Sequence, residues 1–360
     1  MKSKFFTKKN RKSQKSKKKD KKSKKSKKSK KDSDDTKDRL KRKRKAKDVL
    51  KPIFDNKPTE FSLSAPKPLY SKNCERAISK IMTNLPKQDL SMNYHRSDIL
   101  EKLEKTLVDN MQHINGLLLN EEEFSGLYDQ PNQPVIITKA MLDWEANNWT
   151  IDKINEKYPE INFLIGGSNS MEERAIIKFK YYYEYLKNNK DDSPLLLHDY
   201  GFNRRQSTKP LKDDYIEPSF FGKDYLAHMA EARRPPWRFF SISPKRSGLK
   251  IYRNLYKESK WDALLTGKRR YVLFEPDTPK DLIKGLLCDN VDEKYIDKDP
   301  IVYFDKILPS ITQGEMYKEK CDRYEIIECL LKPGELLFIP SGWFYSYIAL
   351  EDSISISQSF

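Results

Sequence analysis

Histidine and cysteine, the side chains most used for metal binding and nucleophilic chemistry, are scarce in this chain of 360 residues. The four histidines and four cysteines are His95, His113, His198, His228, Cys74, Cys288, Cys321 and Cys329. No C-x-x-C pair occurs, which excludes a zinc ribbon and a thioredoxin motif. The wide spacing of the cysteines predicts thiols without disulfides, in a reducing compartment. No histidine occurs in 229–360, so a site with two histidines cannot be assembled from that part alone.

Positive charge is concentrated at the start of the chain. The whole sequence has 70 Lys+Arg and 53 Asp+Glu, a net charge of +17. Residues 1–50 hold 26 of the basic and 6 of the acidic residues, which leaves 44 and 47 for 51–360. The first part therefore carries +20 and the second −3. So much self-repulsion and so little apolar surface predict a disordered basic tail over 1–50.

Three roles are open for this tail. The basic block Lys41, Arg42, Lys43, Arg44 and Lys45 is typical of nuclear import and of electrostatic binding to nucleic acid. The alternatives are a solubilising tail without a specific partner and a polybasic anchor on anionic lipid. No lipidation motif accompanies the lysines, and no apolar run is long enough for a transmembrane helix. We therefore predict a nuclear protein that contacts other nuclear proteins, and RNA through its tail, with no membrane association.

Residue patterns divide the rest of the chain into a linker over 51–70, an N-terminal helical region over 71–134 and a β-rich domain over 135–360. Short strands separated by turns are predicted over 135–138, 162–165, 238–243, 249–255, 271–274, 335–340, 345–350 and 353–360. The last of these alternates serine with isoleucine, which predicts one buried face. A capping box at 170–173 predicts a helix that continues to Leu186, and a helical insert is expected over 280–330. The series predicts a mainly β fold with helical decoration, as an antiparallel barrel or sandwich.

Several motifs of this domain resemble those of the Jumonji-C (JmjC) family. In chain order they are Arg233-Arg234-Pro235-Pro236-Trp237, Arg246-Ser247-Gly248, Trp261-Asp262-Ala263-Leu264, Lys332-Pro333-Gly334-Glu335 and Ile339-Pro340-Ser341-Gly342-Trp343. They look most like the bifunctional arginine demethylase and lysyl-hydroxylase branch, the former phosphatidylserine receptor. The resemblance covers about 135–360 and implies a double-stranded β-helix, the cupin/JmjC-like barrel.

The resemblance also implies where iron would be held. Active family members bind Fe(II) with a His-x-Asp pair and a distal His, which leaves positions for 2-oxoglutarate and oxygen. The family pattern places Tyr252, Asn254 and Tyr345 at these three positions. A phenol near its ordinary pKa and a neutral amide are poor Fe(II) ligands, so we expect no metal and no cofactor. A replacement site built from a Tyr345 phenolate and distant carboxylates is the alternative.

The resemblance implies changes at the co-substrate positions as well. Arg269 stands where the family uses Lys to bind the distal carboxylate of 2-oxoglutarate, and Ser357 replaces a Thr hydroxyl. A guanidinium can bind a carboxylate, so both are candidates for binding one; the alternative is that they are ordinary strand residues. Leu249 replaces another Thr. Asp262 replaces an Asn, and its charge would repel a dianion.

These substitutions predict a JmjC-like pseudoenzyme, kept as a nuclear interaction scaffold associated with RNA, splicing or chromatin factors. The alternative is an active arginine demethylase or lysyl-hydroxylase that uses Fe(II) and 2-oxoglutarate. Family members continue beyond the last strand into C-terminal helices that build a homodimer. Because this sequence stops at Phe360, the resemblance puts a homodimer in doubt and leaves a truncated product as an alternative.

Overall fold

The computed structural model describes residues 69–82, 92–168, 174–230, 233–254, 256–288, 291–313 and 323–360. The predicted basic tail, with Lys41 to Lys45, lies outside the described residues. So do nearly all of the predicted linker, Cys321 and the capping box at 170–173. Residues Pro68–Phe360 belong to one compact unit. No helix of the described part is long and apolar enough to cross a bilayer.

Thirteen strands are present among the described residues. They are β1 His113–Asn115, β2 Val135–Thr138, β3 Asn162–Gly166, β4 Arg174–Lys178, β5 Leu196–Asp199, β6 Arg238–Ser243, β7 Gly248–Tyr252, β8 Lys260–Thr266, β9 Arg269–Phe274, β10 Ile326–Leu331, β11 Glu335–Ile339, β12 Phe344–Ala349 and β13 Ser353–Ser359. All eight strands predicted from the sequence are therefore confirmed, some with ends shifted by up to three residues.

Helices surround these strands. The α-helices are α1 Lys72–Met82, α2 Ile99–Lys105, α3 Glu121–Phe124, α4 Ile151–Lys157, α5 Phe179–Asn188, α6 Pro210–Asp213, α7 Tyr225–His228, α8 Lys280–Ile283, α9 Pro300–Val302 and α10 Leu308–Thr312. π-Helical turns cover Ser125–Asp129 and Tyr303–Ile307, and 3-10 turns cover Tyr94–Arg96, Gly116–Leu118, Glu145–Asn148, Ser219–Phe221 and Glu293–Tyr295.

The strands form two sheets that face each other. The larger has the order β1-β2-β11-β8-β13-β6-β5-β3-β4, and the smaller has the order β10-β9-β12-β7. All pairings are antiparallel except β1 with β2. One apolar cluster contains Leu264 and Leu337 of the larger sheet together with Leu249 and Tyr345 of the smaller sheet. This shared cluster is the interior of a barrel with helical decoration, as the resemblance implies.

Two further apolar clusters pack helices against the outer faces of the sheets. Trp261 and Ile356 of the larger sheet share a cluster with Tyr182 of α5. Val272 of the smaller sheet shares another with Ile283 of α8 and Leu103 of α2. Because each sheet is covered on its outer face, residues on both faces of the central strands are buried.

Strand β13 illustrates this double burial. The alternation of serine and isoleucine predicts one buried face, but every residue from Ser353 to Ser359 is buried. Ile354 and Ile356 belong to the outer cluster of the larger sheet. Ser353 and Ser355 contact the side chain of Arg269, which comes from the opposite sheet. The serine face of β13 is therefore a polar lining of the barrel interior.

Two helix predictions are wrong in part. The helix expected from 170 begins only at Phe179, because Arg174–Lys178 pair with β3 as strand β4. The helical insert expected to reach residue 330 ends earlier, since Ile326–Leu331 pair with β9. In both places pairing with a neighbouring strand outweighs the local pattern, a long-range effect that local propensity does not contain.

Candidate functional site

Tyr252, Asn254 and Tyr345 meet inside the barrel, where we call them the tyrosine cluster. Tyr345 of β12 is directly opposite Tyr252 of β7 in the sheet register. Their ring centroids are 5.9 Å apart and the rings are nearly perpendicular. The Tyr345 hydroxyl donates a hydrogen bond to Oδ1 of Asn254 over 3.2 Å. The structure therefore brings together the three positions that the resemblance selected.

A buried lysine completes the cluster. Lys260 Nζ lies 3.4 Å from the Tyr345 hydroxyl, within hydrogen-bond distance. The same ammonium lies 5.1 Å from the centroid of the Phe239 ring. Burial lowers the pKa of Lys260 below its ordinary range. Lys260 was not predicted from the sequence, although it stands immediately before Trp261-Asp262-Ala263-Leu264-Leu265, a mostly apolar run that indicates a buried strand.

His198 also lies beside the tyrosine cluster. His198 was not among the site residues predicted from the sequence. Strand β5 pairs with β6 in the larger sheet, with His198 opposite Ser241. The His198 ring stacks on Phe239 at 4.4 Å, and its Nδ1 lies 2.7 Å from the Ser241 hydroxyl. Burial lowers the pKa of His198 well below its usual range, so the imidazole is neutral. The apolar triplet before it, Leu195-Leu196-Leu197, is the signal that predicts a buried strand here.

Little space remains between these side chains. Tyr252, Asn254, Tyr345, Lys260 and His198 line a cavity of about 20 Å³. Such a volume accommodates about one water molecule. Small-molecule sites in proteins usually measure roughly 300–1,000 Å³. In this conformation the cluster fills the barrel interior rather than leaving a ligand pocket.

The side chains of the tyrosine cluster do not fit Fe(II). Burial raises the pKa of Tyr345 well above its ordinary value, so its phenol remains protonated. Oδ1 of Asn254 already accepts from that phenol, and its amide nitrogen donates to the Glu258 carbonyl over 2.9 Å. A protonated Lys260 beside the phenol would repel a metal cation. Within the described ranges, no group of three or more His, Cys, Asp or Glu side chains could hold a metal ion.

Arg269 occupies a separate polar cluster of the barrel interior. Its Nε donates to the Ser353 hydroxyl over 2.9 Å, and its Nη1 donates to Ser355 over 2.6 Å and to Asp262 over 3.3 Å. Its Nη2 donates to Ser243 over 3.2 Å. The Tyr271 hydroxyl donates to the same Asp262 carboxylate. The guanidinium thus has a carboxylate and three hydroxyls around it, in a fully buried position.

Ser357 lies on β13, the strand that also carries Ser353 and Ser355. In the sheet register it is opposite Phe239 of β6 and Asp262 of β8. The β13 hydroxyls that accept from Arg269 are those of Ser353 and Ser355, which the sequence analysis did not select. The carboxylate-binding role suggested for Arg269 and Ser357 stays a prediction.

Two cysteine predictions can be compared with the structure. Cys74 and Cys329 are buried and form no disulfide, as expected. Burial raises the pKa of the Cys74 thiol to about 12, which makes it unreactive at neutral pH. Neither thiol belongs to the barrel site.

The family model described as a cupin-like domain matches residues 121–358, which extend from α3 into β13. The chain belongs to the Cupin-like JmjC family. It is 36% identical over 253 residues to a Caenorhabditis elegans protein named bifunctional arginine demethylase and lysyl-hydroxylase psr-1. It is 33% identical over 263 residues to the Arabidopsis thaliana lysine-specific demethylase JMJ21. It is 25% identical over 249 residues to the Gallus gallus 2-oxoglutarate and iron-dependent oxygenase JMJD4.

These similarities cover parts of each protein. The match to psr-1 includes 70% of this chain and 61% of the relative. The match to JMJ21 includes 71% of this chain and 26% of the relative, and the match to JMJD4 includes 64% and 55%. The chain therefore spans about three fifths of the length of psr-1. The resemblance to the demethylase and hydroxylase branch is confirmed.

The relatives overturn one expectation from the sequence. We predicted no cofactor, but the JMJD4 proteins of Gallus gallus and Danio rerio are named 2-oxoglutarate and iron-dependent oxygenases. Iron and 2-oxoglutarate are therefore the cofactors that the family implies for this fold. The expectation that no cofactor is involved is therefore wrong for the family to which the chain belongs.

Proposed function

We propose that this JmjC-family chain is a pseudoenzyme whose barrel serves as an interaction scaffold. The observation that carries the proposal is the hydrogen-bonded contact of Tyr345 with Asn254 and Lys260. These side chains contact one another in the part of the barrel where the resemblance places the iron ligands. A protonated phenol and a neutral amide are weaker Fe(II) ligands than the imidazole and carboxylate groups that the family uses.

The surroundings of Arg269 support the same proposal. A side chain that binds a co-substrate carboxylate needs donors that point into open space. Arg269 instead donates to Asp262 and to serine hydroxyls, and Asp262 would repel an incoming dianion. Breaking the buried ion pair would cost about 3–5 kcal/mol, which disfavours a rearrangement on each binding event.

The proposed location and partners of the protein are based on the basic tail over 1–50. We propose a nuclear location, with import through Lys41 to Lys45 and contacts to nuclear proteins and RNA. Lysine-rich segments gain affinity for nucleic acid by releasing condensed counterions, so binding through the tail should fall steeply with salt. The scarcity of aromatic residues in 1–50 argues against base stacking and sequence preference.

A second candidate is an active oxygenase that acts on arginine or lysine side chains. The names of psr-1 and JMJD4 favour it. His198 and Glu258 line the small cavity together with Tyr345, so they are the described side chains that would have to turn toward a metal. In this candidate the protonation state of His198 matters, since only a neutral imidazole is a ligand.

Formation of succinate from 2-oxoglutarate separates the two candidates. We expect the full chain with Fe(II), ascorbate and 2-oxoglutarate to form succinate no faster than the protein-free control. As a matched comparison, Tyr252→His/Asn254→Asp/Tyr345→His restores the donor types of the family. We expect this variant to form succinate above the control, provided that circular dichroism shows the same fold.

Succinate formation by the unaltered chain would overturn the scaffold proposal. In that case the variant His198→Gln identifies the ligand set. Loss of turnover in His198→Gln would point to a rearranged iron site that uses this histidine.

A further inference from the structure

A larger cavity lies on the other side of strand β7, outside the barrel interior. Its volume is about 510 Å³, within the usual range for ligand sites. Five cationic side chains line it, and Asp297 is the carboxylate among its lining residues. The cationic residues are Lys250, Arg253, Lys280, Lys284 and Lys298. The cavity therefore has a surplus of positive charge.

Internal contacts neutralise only part of this charge. Lys284 Nζ lies 3.4 Å from a carboxylate oxygen of Asp297, and Lys250 lies 4.0 Å from Asp299. Among the described residues, Lys280 and Lys298 have no carboxylate within ion-pair distance. Both therefore have ammonium groups that a ligand can pair with.

The floor of the cavity is apolar. Ile283 of α8 is buried there, and Ile251 of β7 lies beside it. Phe344 of β12 presents its ring to the Arg253 guanidinium, at 4.6 Å from the ring centroid. An occupant that matches both features carries negative charges around an apolar group.

The charge of this cavity opposes the substrates named for the relatives. Arginine and lysine side chains are cationic, and five cations around the cavity would repel them. The cavity also reaches the tyrosine cluster, because Tyr252 and Asn254 line both spaces. Tyr252 and Asn254 therefore form the boundary between the cavity and the tyrosine cluster.

We propose that this cavity binds an acidic peptide segment of a partner protein. Its carboxylates pair with Lys280 and Lys298, and an apolar side chain between them packs on Ile283 and Phe344. The proposal rests on the scaffold function, since it assigns the scaffold its class of partner. Charge complementarity at such a site increases the association rate and discriminates against basic partners.

Fluorescence anisotropy of labelled peptides tests the proposal on the full chain. The probe is fluorescein-labelled Glu-Glu-Phe-Glu-Glu, with Lys-Lys-Phe-Lys-Lys and Glu-Glu-Gly-Glu-Glu as comparisons. Because the basic tail also attracts acidic peptides, two variants of equal net charge are compared. Lys280→Glu/Lys298→Glu changes the cavity, and Lys190→Glu/Lys209→Glu changes exposed lysines elsewhere.

We expect the cavity variant to weaken binding of the acidic phenylalanine peptide at least tenfold and the control variant less than threefold. The glycine peptide should bind several-fold more weakly than the phenylalanine peptide. The basic peptide should show no saturable binding. Thermal unfolding checks that both variants fold.

Equal losses in the two variants would overturn the proposal, because they would assign the binding to overall charge. It would also be overturned if the cavity variant lost affinity for a single-stranded RNA of equal charge and kept affinity for the peptide. These outcomes are independent of succinate formation. Detection of oxygenase activity would refute the scaffold function. The anisotropy result would still decide whether the cavity binds the acidic peptide.

Discussion

The barrel interior and the cavity lined by Lys250, Arg253, Lys280, Lys284 and Lys298, here called the basic cavity, lie on opposite sides of strand β7. The two regions differ in how their charged side chains are paired. In the interior, Arg269 pairs with Asp262, and about 20 Å³ of space remains at the tyrosine cluster. In the basic cavity, cations outnumber carboxylates and about 510 Å³ is open. A charge matched inside the protein contributes to specifying the fold, whereas an unmatched charge beside open space is available to a ligand.

The two regions should therefore respond differently to substitution. Substitution in the interior should cost stability, because it leaves a buried group without its partner. Substitution of the cavity lysines should cost binding and leave the free energy of unfolding nearly unchanged.

The largest effect is expected for Arg269→Met. Removing the guanidinium leaves the Asp262 carboxylate buried beside Tyr271 without a cation. Loss of one partner of a buried ion pair typically costs about 3–5 kcal/mol, so we expect a loss of that size in urea denaturation. Such a loss would sharpen the contrast with the basic cavity.

The neighbouring residue provides the control. Lys268 forms surface ion pairs with Glu104 and Glu351, at 3.0 Å and 3.1 Å. Lys268→Met should cost less than about 1 kcal/mol, since exposed pairs contribute little. If both variants were equally stable, the Arg269–Asp262 contact would not be holding the barrel interior together.

The second effect concerns strand β7, which separates the two regions, at Gly248. A Cβ on this residue would lie 2.0 Å from the carbonyl oxygen of Tyr347 on β12. Because the obstacle is backbone, one strand must move, and we expect Gly248→Ala to cost about 3 kcal/mol. Thermal or urea unfolding measures this cost.

Gly126→Ala is the matched comparison. A Cβ there meets nothing within 4 Å, so the substitution should change stability by less than about 1 kcal/mol. A tolerated Gly248→Ala would show that β7 can move away from β12. The two regions would then not be separated by a fixed wall.

The smallest effect is a change of pH dependence on replacing Lys260. Burial lowers the pKa of Lys260 from its ordinary 10.5. Between the folded-state pKa and 10.5 the unfolded chain holds more protons than the folded chain, so stability rises with pH in this window. Lys260→Met should remove that rise, which urea denaturation at several alkaline pH values measures.

Lys268→Met again serves as the control. Its hydrogen bond to Glu104 raises the pKa of Lys268, so this residue contributes no rise below its ordinary pKa. If Lys260→Met and the parent chain had parallel profiles, Lys260 would be in contact with water. The barrel interior would then be more accessible to water than the structure indicates.

The fold was largely accessible from local sequence patterns. The strands Val135–Thr138 and Arg238–Ser243 coincide with their predicted ranges, because apolar runs bounded by turn residues are a local signal. The start of α5 was misplaced, because the pairing of Arg174–Lys178 with β3 is a tertiary contact. Short runs that pair at long range are where sequence reasoning is weakest.

Only part of the candidate site could be predicted from the sequence. Family motifs were enough to select Tyr252, Asn254 and Tyr345, which the structure brings into one cluster. The place of His198 depends on β5 joining β6 across an intervening segment of about forty residues, and no local pattern encodes that pairing. The lysines of the basic cavity come from β7, α8 and a loop, so their proximity also depends on tertiary packing.

The position of β13 has a consequence for how the protein is made. This strand is translated after the other twelve, yet it hydrogen-bonds to β6 on one side and to β8 on the other. While residues 353–359 are still inside the ribosome, β6 and β8 have exposed edges, a known risk for association between nascent chains. Closure of the larger sheet must therefore follow synthesis of this strand.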